Sequence, residues 1–587
     1  MAIYYHSTAR RSFFDISAEK VFIMSSNQSD LSNAHYGYDF VVAATQASIN
    51  ATMKEYLYNS VFPTVRMYWN QDAQGNPVAI SQADLLKQTN GVDPLLVPSW
   101  NDSEPMTPDI ENINQSDFYF AFEAAIGIPA DMPAQNIPDI VTFQAASQSV
   151  IFNLICAQFT VVTCNFGRHG LTSFFSASQP ADSPWLFTSI VALRQIIDNT
   201  NLPPDVQEQL NNLGPAAFSV QQLFFDLDNA ALESTPTISG IQPGTPLYTL
   251  LSSVFLGAYF SAMKANAQPV LNYSILQNVP ANDSSTLTLT KMELEVSPYT
   301  PVSPATDSFN TLNYLCEVNG GNLPPPVPFP WNWLEPGDQS NFDGVISINR
   351  NTFANYFKDQ LAGAVANNCY KPWVRVWLSG FLDATVNYSW SMTPRQTPTV
   401  TVTDNGDNVL VFSYSGSAED DAGLNGDMGK MSISTTYNAT VTFSGSTIVI
   451  TQNYLVAIYI RIMQSSESWN AINNTITDTY TLAIDQTGHL TASLNTVTKD
   501  NSDSTPSTNW FIELFTGLND LVGDVADWAK DFEKTSFHSM PLNAAQRFVF
   551  PGGKTFAFND VAFSDYQDMV SHITYTQPGL NCKPAQF

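Results

Sequence analysis

Apolar positions along this chain change period twice, and the change recurs at one offset. In YDFVVAATQASINATMKEYL (Tyr38 to Leu57), a β-prone run at Val41 and Val42 gives way to Ile49, Met53, Tyr56, Leu57 and then Val61, the spacing of one helix face. In FDGVISINRNTFANYFKDQL (Phe342 to Leu361), Val345 and Ile346 are followed in the same way by Phe353, Phe357, Leu361 and Val365. Asp39 falls on Asp343, Val42 on Ile346, Met53 on Phe357 and Leu57 on Leu361, each pair 304 positions apart with no gap. The pattern predicts two strand-to-helix units in a duplicated chain. Ser48 and Thr352 stand where a side-chain oxygen caps free backbone N–H groups.

Between and beyond the two copies the pattern is mostly that of strands. Thr64 to Trp69, Phe118 to Phe122 and the uncharged stretch Ile140 to Gly167 predict strands, as does Phe218 to Phe225. Leu186 to Asp198 predicts a helix. So does Leu247 to Tyr259 after Pro246, with Leu250, Val254 and Phe255 on its apolar face. In GGNLPPPVPFPWNW (Gly320 to Trp333) the prolines favour an extended connector, and Phe329, Trp331 and Trp333 can fasten it to a neighbouring surface. After the second copy, strands are expected at Trp373–Trp377, Val400–Thr403, Val409–Tyr414, Ala439–Phe443, Thr447–Gln452, Tyr454–Ile462 and Thr477–Ile484. DNGDN (Asp404 to Asn408) and SGS (Ser444 to Ser446) supply hairpin turns. A helix over Trp510–Phe532 buries Phe515 and Trp528 on one face. A final hairpin turns at Pro551–Lys554 and puts Phe548, Phe550, Phe556 and Phe558 on one face. This divides the chain into a peripheral extension (1–35, with Met24 as an alternative start to Met1), a first unit (36–317), a Pro-rich linker (318–340) and a second unit (341–587).

Composition narrows the function. Acids outnumber Lys and Arg by 53 to 23, and the net charge of −30 repels phosphate backbones, so no nucleic-acid partner is expected. The start of the chain has no apolar run of signal-peptide length, and no stretch has the apolar length of a spanning helix. A cytoplasmic protein without stable membrane insertion is expected, with non-classical export left open. Cys156, Cys164, Cys316, Cys369 and Cys582 are scattered and odd in number, which predicts reduced thiols and not a disulfide framework.

Direct catalytic signals are sparse. Cys164 and His169 lie five apart in CNFGRHG and could form a nucleophile–base pair. Asp226 and Asp228 in FFDLDNA share a strand face and could act as paired carboxylates. Glu419, Asp420, Asp421 and Asp427 form an acidic stretch, read as a solvated loop because its spacing does not match a calcium-binding loop. The histidines lack metal-ligand spacing, so neither metal nor cofactor is expected.

YDFVVAATQASIN, FSVQQLFFDLDNA and FVFPGGKTFAFNDVAFSDYQDMVSHITY together resemble the OrfX-like accessory proteins encoded beside clostridial neurotoxins, a group similar to the tubular lipid-binding (TULIP) superfamily. The resemblance covers most of residues 36–576. It implies an α+β fold of two TULIP-like modules, each a curved antiparallel sheet wrapped around a long amphipathic helix with an apolar tunnel. It also implies carriage of a lipid or another elongated hydrophobic molecule. Some family members bind phosphoinositides, but no conspicuous basic patch is present here; Lys54 and Lys358 fit exposed helix positions. The tunnel-lining candidates are Ile49, Met53, Leu57, Leu250, Val254, Phe255, Phe353, Phe357, Leu361, Phe515, Trp528, Phe548, Phe550, Phe556 and Phe558. Two alternatives stay open: a metal-free, cofactor-free cyclase or isomerase acting on a hydrophobic intermediate, and a toxin-accessory protein that binds a partner from its gene neighbourhood.

Overall fold

The computed structural model of the chain describes residues 25–59, 64–130, 132–133, 136–143, 149–168, 170–180, 184–197, 218–225, 237–238, 244, 248, 251–252, 270–277, 289–301, 304–318, 320–338, 340–381, 384–404, 406–424, 427–486, 490–503, 548–550 and 554–576. In its first half, β1 (Phe40–Thr45) runs into α1 (Gln46–Asn59). Then come β2 (Val65–Gln71), β3 (Pro77–Ile80), α2 (Gln82–Gln88), β4 (Trp100–Asn101), α3 (Pro108–Asn114), β5 (Phe118–Ile126), β6 (Val141–Phe143), β7 (Ser149–Gly167), β8 (Gly170–Ser178) and β9 (Leu186–Ile197). β10 (Phe218–Phe225), β11 (Thr237–Ile238), β12 (Val270–Gln277), β13 (Leu289–Ser297) and β14 (Thr311–Val318) complete this half. The second half begins with β15 (Gly344–Ile348) and α4 (Arg350–Asn367). It continues through β16 (Lys371–Ser379), β17 (Thr385–Thr393), β18 (Thr399–Val402), β19 (Asn408–Ala422), β20 (Gly429–Ser444), β21 (Thr447–Ile462), β22 (Ser465–Ile484) and β23 (Leu490–Asp500). It ends with β24 (Phe548–Phe550), β25 (Lys554–Phe558), β26 (Ala562–Phe563) and β27 (Met569–Thr576). The fold is mostly β, with few helices and a sheet curved as a half-barrel.

One ribbon of antiparallel strands runs β13-β14-β1-β15-β27-β25-β24-β12-β10-β9-β7-β5-β2-β3. Near one end of it lies the duplicated motif. β1 and β15 pair with each other, and Val42 stands opposite Ile346, its own counterpart 304 residues on. Flanking bonds obey the same local two-fold. Asn349 N–H donates to Asp39 O (2.9 Å) as Thr45 N–H donates to Asp343 O (3.0 Å). Asp39 N–H reaches Cys316 O in β14 (3.0 Å), and Asp343 N–H reaches Ile573 O in β27 (2.8 Å). The helix caps follow the symmetry too, but not at the expected residues. Thr45 Oγ1 accepts from Ser48 N–H (3.1 Å), and Asn349 Oδ1 accepts from Asn351 N–H (2.8 Å). Ser48 and Thr352 instead bridge the two copies. Ser48 Oγ donates to Asp343 O (2.9 Å), and Thr352 Oγ1 donates to the Asp39 carboxylate.

Strand alternation gives this part of the sheet two apolar faces. Phe40, Val42 and Ala44 point to the side of the two helices. Val41, Ala43, Leu315, Val345 and Val570 point to the other, where Phe329, Trp331, Trp333 and Leu334 cover them. The Pro-rich segment is thus laid across the sheet as an aromatic plate. Phe329 lies 5.0 Å from both Trp331 and Trp333, and Tyr38 Oη donates to Pro325 O (2.8 Å).

α1 does more than cover the sheet, because its polar side chains stand in for a missing strand beside β6. Gln46 Oε1 accepts from Phe143 N–H (2.8 Å). Asn50 Oδ1 accepts from Ile140 N–H (2.7 Å) and Val141 N–H (2.9 Å), while its amide donates to Val141 O (2.7 Å). Asn50→Ala leaves those buried backbone groups unpaired and is expected to cost about 2 kcal/mol; a lowered urea midpoint at unchanged slope checks it. Lys54 is not a free surface cation but pairs with Asp139 at 2.9 Å.

Two sequence expectations are corrected. Leu186–Ile197 is strand β9, paired with β7 and β10, where long-range pairing overrides local helical spacing. The acidic stretch is not a loop from Glu419 onward, because Glu419, Asp420 and Asp421 belong to β19. There Asp420 accepts from Val376 N–H (2.6 Å) and Glu419 pairs with Lys430 (2.6 Å), so these carboxylates fasten neighbouring strands. The expected helices over 247–259 and 510–532 lie largely or wholly outside the described residues.

In the second half, β18 to β23 form an antiparallel meander in which each strand pairs with the next. Both expected turns are present: Val402 faces Leu410, and Ser444 faces Thr447 across Gly445. The hairpin β16–β17 forms a second layer, with Val374, Val376 and Val386 in the common apolar core.

Candidate functional site

The interior face of the meander can be read strand by strand. Alternate residues of β20 and β21 are buried, and on β21 the buried row is Ile448, Ile450, Gln452, Tyr454, Val456, Ile458, Ile460 and Ile462. α4 presents Phe353, Phe357, Leu361 and Val365, all buried in the same cluster. Its N-terminal half is closely packed: Phe353 lies 5.4 Å from Phe443, and Phe443 stacks on Phe563 at 4.6 Å.

Into this apolar lining the chain places one polar constellation, near the C-terminal end of α4. Gln452 Oε1 accepts from Tyr437 Oη (2.8 Å) and from Asn368 Nδ2 (3.2 Å). Gln452 Nε2 donates to Asp478 Oδ2 (2.9 Å), and Asp478 Oδ1 accepts from Thr496 Oγ1 (2.6 Å). Tyr437, Gln452, Asp478 and Asn368 are all buried. Tyr454 stands beside them, and Thr435 donates to Tyr370 O (2.6 Å). Burial raises the phenols of Tyr437 and Tyr454 above their ordinary range, and it pushes the Cys369 thiol up to about 12. The phenols and thiol therefore stay protonated at neutral pH, where they serve as donors and not as bases or nucleophiles. The arrangement is a paired polar cluster set into an apolar interior face.

The expected site residues divide three ways. Ile49, Met53, Leu57, Phe353, Phe357, Leu361 and Phe558 are buried together in one apolar cluster spanning both halves. Leu250, Val254, Phe255, Phe515, Trp528, Asp226, Asp228 and His169 lie outside the described residues. Phe548, Phe550 and Phe556 sit in β24 and β25, paired as the expected hairpin, and only their backbone is described. Cys164 is buried in a separate cluster with Leu171 and Phe174, and burial holds its thiol above the usual range, the opposite of an activated nucleophile. Among the described residues, no three His, Cys, Asp or Glu side chains converge as metal ligands, and no helix is long and apolar enough to cross a membrane. The constellation around Gln452 is absent from the sequence expectations. Its signal is a polar residue on an inward parity: Gln452 between Ile450 and Tyr454, and Asp478 between Ile476 and Tyr480.

No family model and no curated protein matches the chain. Among solved structures, P47 of Clostridium botulinum E1 is similar over 92% of this chain and 98% of its own, at 9% identity and TM-score 0.41. P47 from Clostridium botulinum A2 is similar over 92% and 97%, at 11% identity and TM-score 0.39. Lipopolysaccharide binding protein is similar over 92% and 100%, at 11% identity and TM-score 0.27. The OrfX-like group and the tubular lipid-binding superfamily named from the sequence are thus both represented among the matches.

Proposed function

We propose that this protein encloses a lipid or another elongated hydrophobic molecule. In this reading the two units are TULIP-like modules related by the local two-fold at Val42 and Ile346, and each wraps a curved sheet around the helix that follows its motif strand. The apolar tail lies along the inner row of β20 to β22, and the polar end meets the Tyr437–Gln452–Asp478–Asn368 constellation. The observation that carries this is the gathering of Tyr437, Gln452, Asp478 and Asn368, with buried Thr435 and Asn474 beside them, on an inner face whose other described buried residues are apolar or aromatic. A core that needed only stability is served at least as well by apolar side chains there, since even a paired buried carboxylate gains little over a hydrophobic residue of similar size.

The test is extraction of the natively purified chain followed by mass spectrometry, with binding of a fluorescent fatty acid as the quantitative readout. A bound apolar molecule at near-stoichiometric yield is expected, as is saturable uptake of the fatty acid. Gln452→Leu keeps the apolar row and removes the central amide. It is expected to weaken fatty-acid binding about tenfold, the equivalent of one lost hydrogen-bonded polar contact. An empty protein that also fails to take up the fatty acid sinks the reading.

A further inference from the structure

One end of the meander carries protruding apolar side chains that no core requires. Phe381, at the tip of the β16–β17 hairpin, is wholly exposed, and Leu424, in the loop joining β19 to β20, is 85% exposed. Met463, in the turn joining β21 to β22, is about half exposed, and Leu378 and Trp377 are exposed just behind the hairpin tip. These loops belong to one end of the sheet. Ala422 pairs with Gly429, Gly429 with Ile462, and Ile462 with Ser465. Met463 N–H donates to Met428 O (3.1 Å), and Met428 N–H donates to Ala422 O (3.2 Å). The hairpin is seated on the same end, for Gly429 lies against Val386, the cross-strand partner of Leu378, and Tyr388 Oη reaches Arg461 O (3.5 Å).

We propose that this end docks into the interfacial region of a zwitterionic lipid bilayer. The residues are ordered as the depth of an interface orders them. Bare apolar tips (Phe381, Leu424, Met463) come first. Trp377 follows, with the Arg375 guanidinium 5.3 Å over its ring. Asn387 is level with it and Ser389 and Ser391 lie beyond, the cross-strand neighbours of Trp377, Arg375 and Trp373 in turn. Amphipathic rings and long cations belong at headgroup level, with apolar groups below them. Depth also separates the two tryptophans. At about 3.3 Å per residue, Trp377 lies about 13 Å behind Phe381, at the outer edge of the ~5–10 Å that interfacial segments enter, whereas Trp373 lies about 26 Å behind and well outside it. Separate projections from several loops, in place of a flat patch or groove, suit a fluid partner better than a rigid protein surface. Charge selects the kind of bilayer. Asp421 and Asp427 are exposed at the same end, on a chain of net charge −30, so a neutral headgroup layer is favoured over an anionic one. This surface lies outside the interior proposed for the ligand and does not depend on it.

Flotation of the full chain with phosphatidylcholine vesicles tests the proposal. Binding is expected on phosphatidylcholine and is expected to weaken when part of it is replaced by phosphatidylglycerol. The double variant Phe381→Asp, Leu424→Asp is expected to lose about tenfold or more in binding, the loss of burying two large apolar side chains. Its Tm is expected to stay unchanged, because neither side chain is buried. No flotation on phosphatidylcholine overturns the proposal, as does flotation that the double variant leaves intact. A wild-type dimer abolished by the double variant, without vesicle binding, shows the end to be an interface between copies. The vesicles carry no labelled fatty acid, so failure here leaves the ligand experiment undisturbed.

Discussion

Gly344→Val is expected to lower the unfolding free energy by about 4 kcal/mol or more, at the extreme of single substitutions. Gly344 opens β15, where the two copies of the motif pair, and its register partner is Ala44. A Cβ there would lie under 3.0 Å from the Ala43 carbonyl oxygen and 3.2 Å from Ala44 Cα. Both are backbone atoms of β1, whose opposite edge is held by β14, so neither can give way without distorting the paired strands on both sides. The counterpart of Gly344 in the first copy is Phe40, a large residue, so the glycine answers to close approach on one side of the two-fold and not to the motif itself. Gly363→Ala is the control. It lies in α4 with nothing within 4 Å of an added Cβ, and it is expected to stabilise by about 0.5–1 kcal/mol through helix propensity. Denaturant melts of the two variants side by side decide the matter. A Gly344→Val chain within 1 kcal/mol of wild type would falsify the close-approach account.

Much of this frame was legible in the chain, and the misses share one cause. The 304-residue repeat was readable because duplicated units keep their apolar spacing, and the structure turns that spacing into a two-fold with Val42 facing Ile346. SGS was readable because a two-residue hairpin turn demands particular residues, and DNGDN because Asn, Asp and Gly mark a longer loop. What failed depended on partners distant in sequence. Leu186–Ile197 has helical spacing locally, but β7 and β10 claim it on both edges. Ser48 and Thr352 look like caps, yet their partners sit across the two-fold, and Thr45 and Asn349 cap instead. Phe329, Trp331 and Trp333 do fasten the Pro-rich segment as expected; what the sequence could not say is that the surface they meet is the outer face of β14, β1 and β15, with β1 between the two strands that flank the segment. For the candidate site, the burial of the α1 and α4 apolar faces followed from helix periodicity. Gln452 and Asp478 did not, because a polar residue in a strand declares its direction only once the register is known.

Stability of the protein is expected to be highest in mild acid and to fall as pH rises from about 4 toward 7, with Asp568 as a principal cause. Asp568 is fully buried between the N-terminal segment and the start of α4. Its Oδ2 accepts from Ser29 Oγ (2.9 Å) and Leu31 N–H (2.6 Å), and its Oδ1 accepts from Arg350 N–H (2.9 Å). The Arg350 guanidinium is near enough to attract it but makes its hydrogen bonds elsewhere, to Gln567, Asn351, Thr403 and the carbonyls of Gly406 and Asn408. Burial therefore dominates and pushes the Asp568 carboxyl up to about 7 despite the three donors. Glu295, buried in β13 beside Asn313, is pushed up to about 7 for the same reason. The sign follows from linkage. Between the ordinary carboxylate value and the raised one, the folded state holds a proton that the unfolded state releases. The contribution is full below about 4 and disappears as pH climbs through 7, at up to about 1.4 kcal/mol per pH unit for each group. Repulsion within a chain of net charge −30 pushes in the same direction, so wild-type data alone do not separate the causes. Asp568→Asn does, when melts from pH 4.5 to 8 are run at high salt, where surface repulsion is screened. The asparagine keeps one acceptor and cannot ionise, so its profile is expected to lose about half the slope and to cross the wild-type curve near neutral pH. Parallel profiles for the two chains would place the pH dependence outside this carboxyl, in the surface charge.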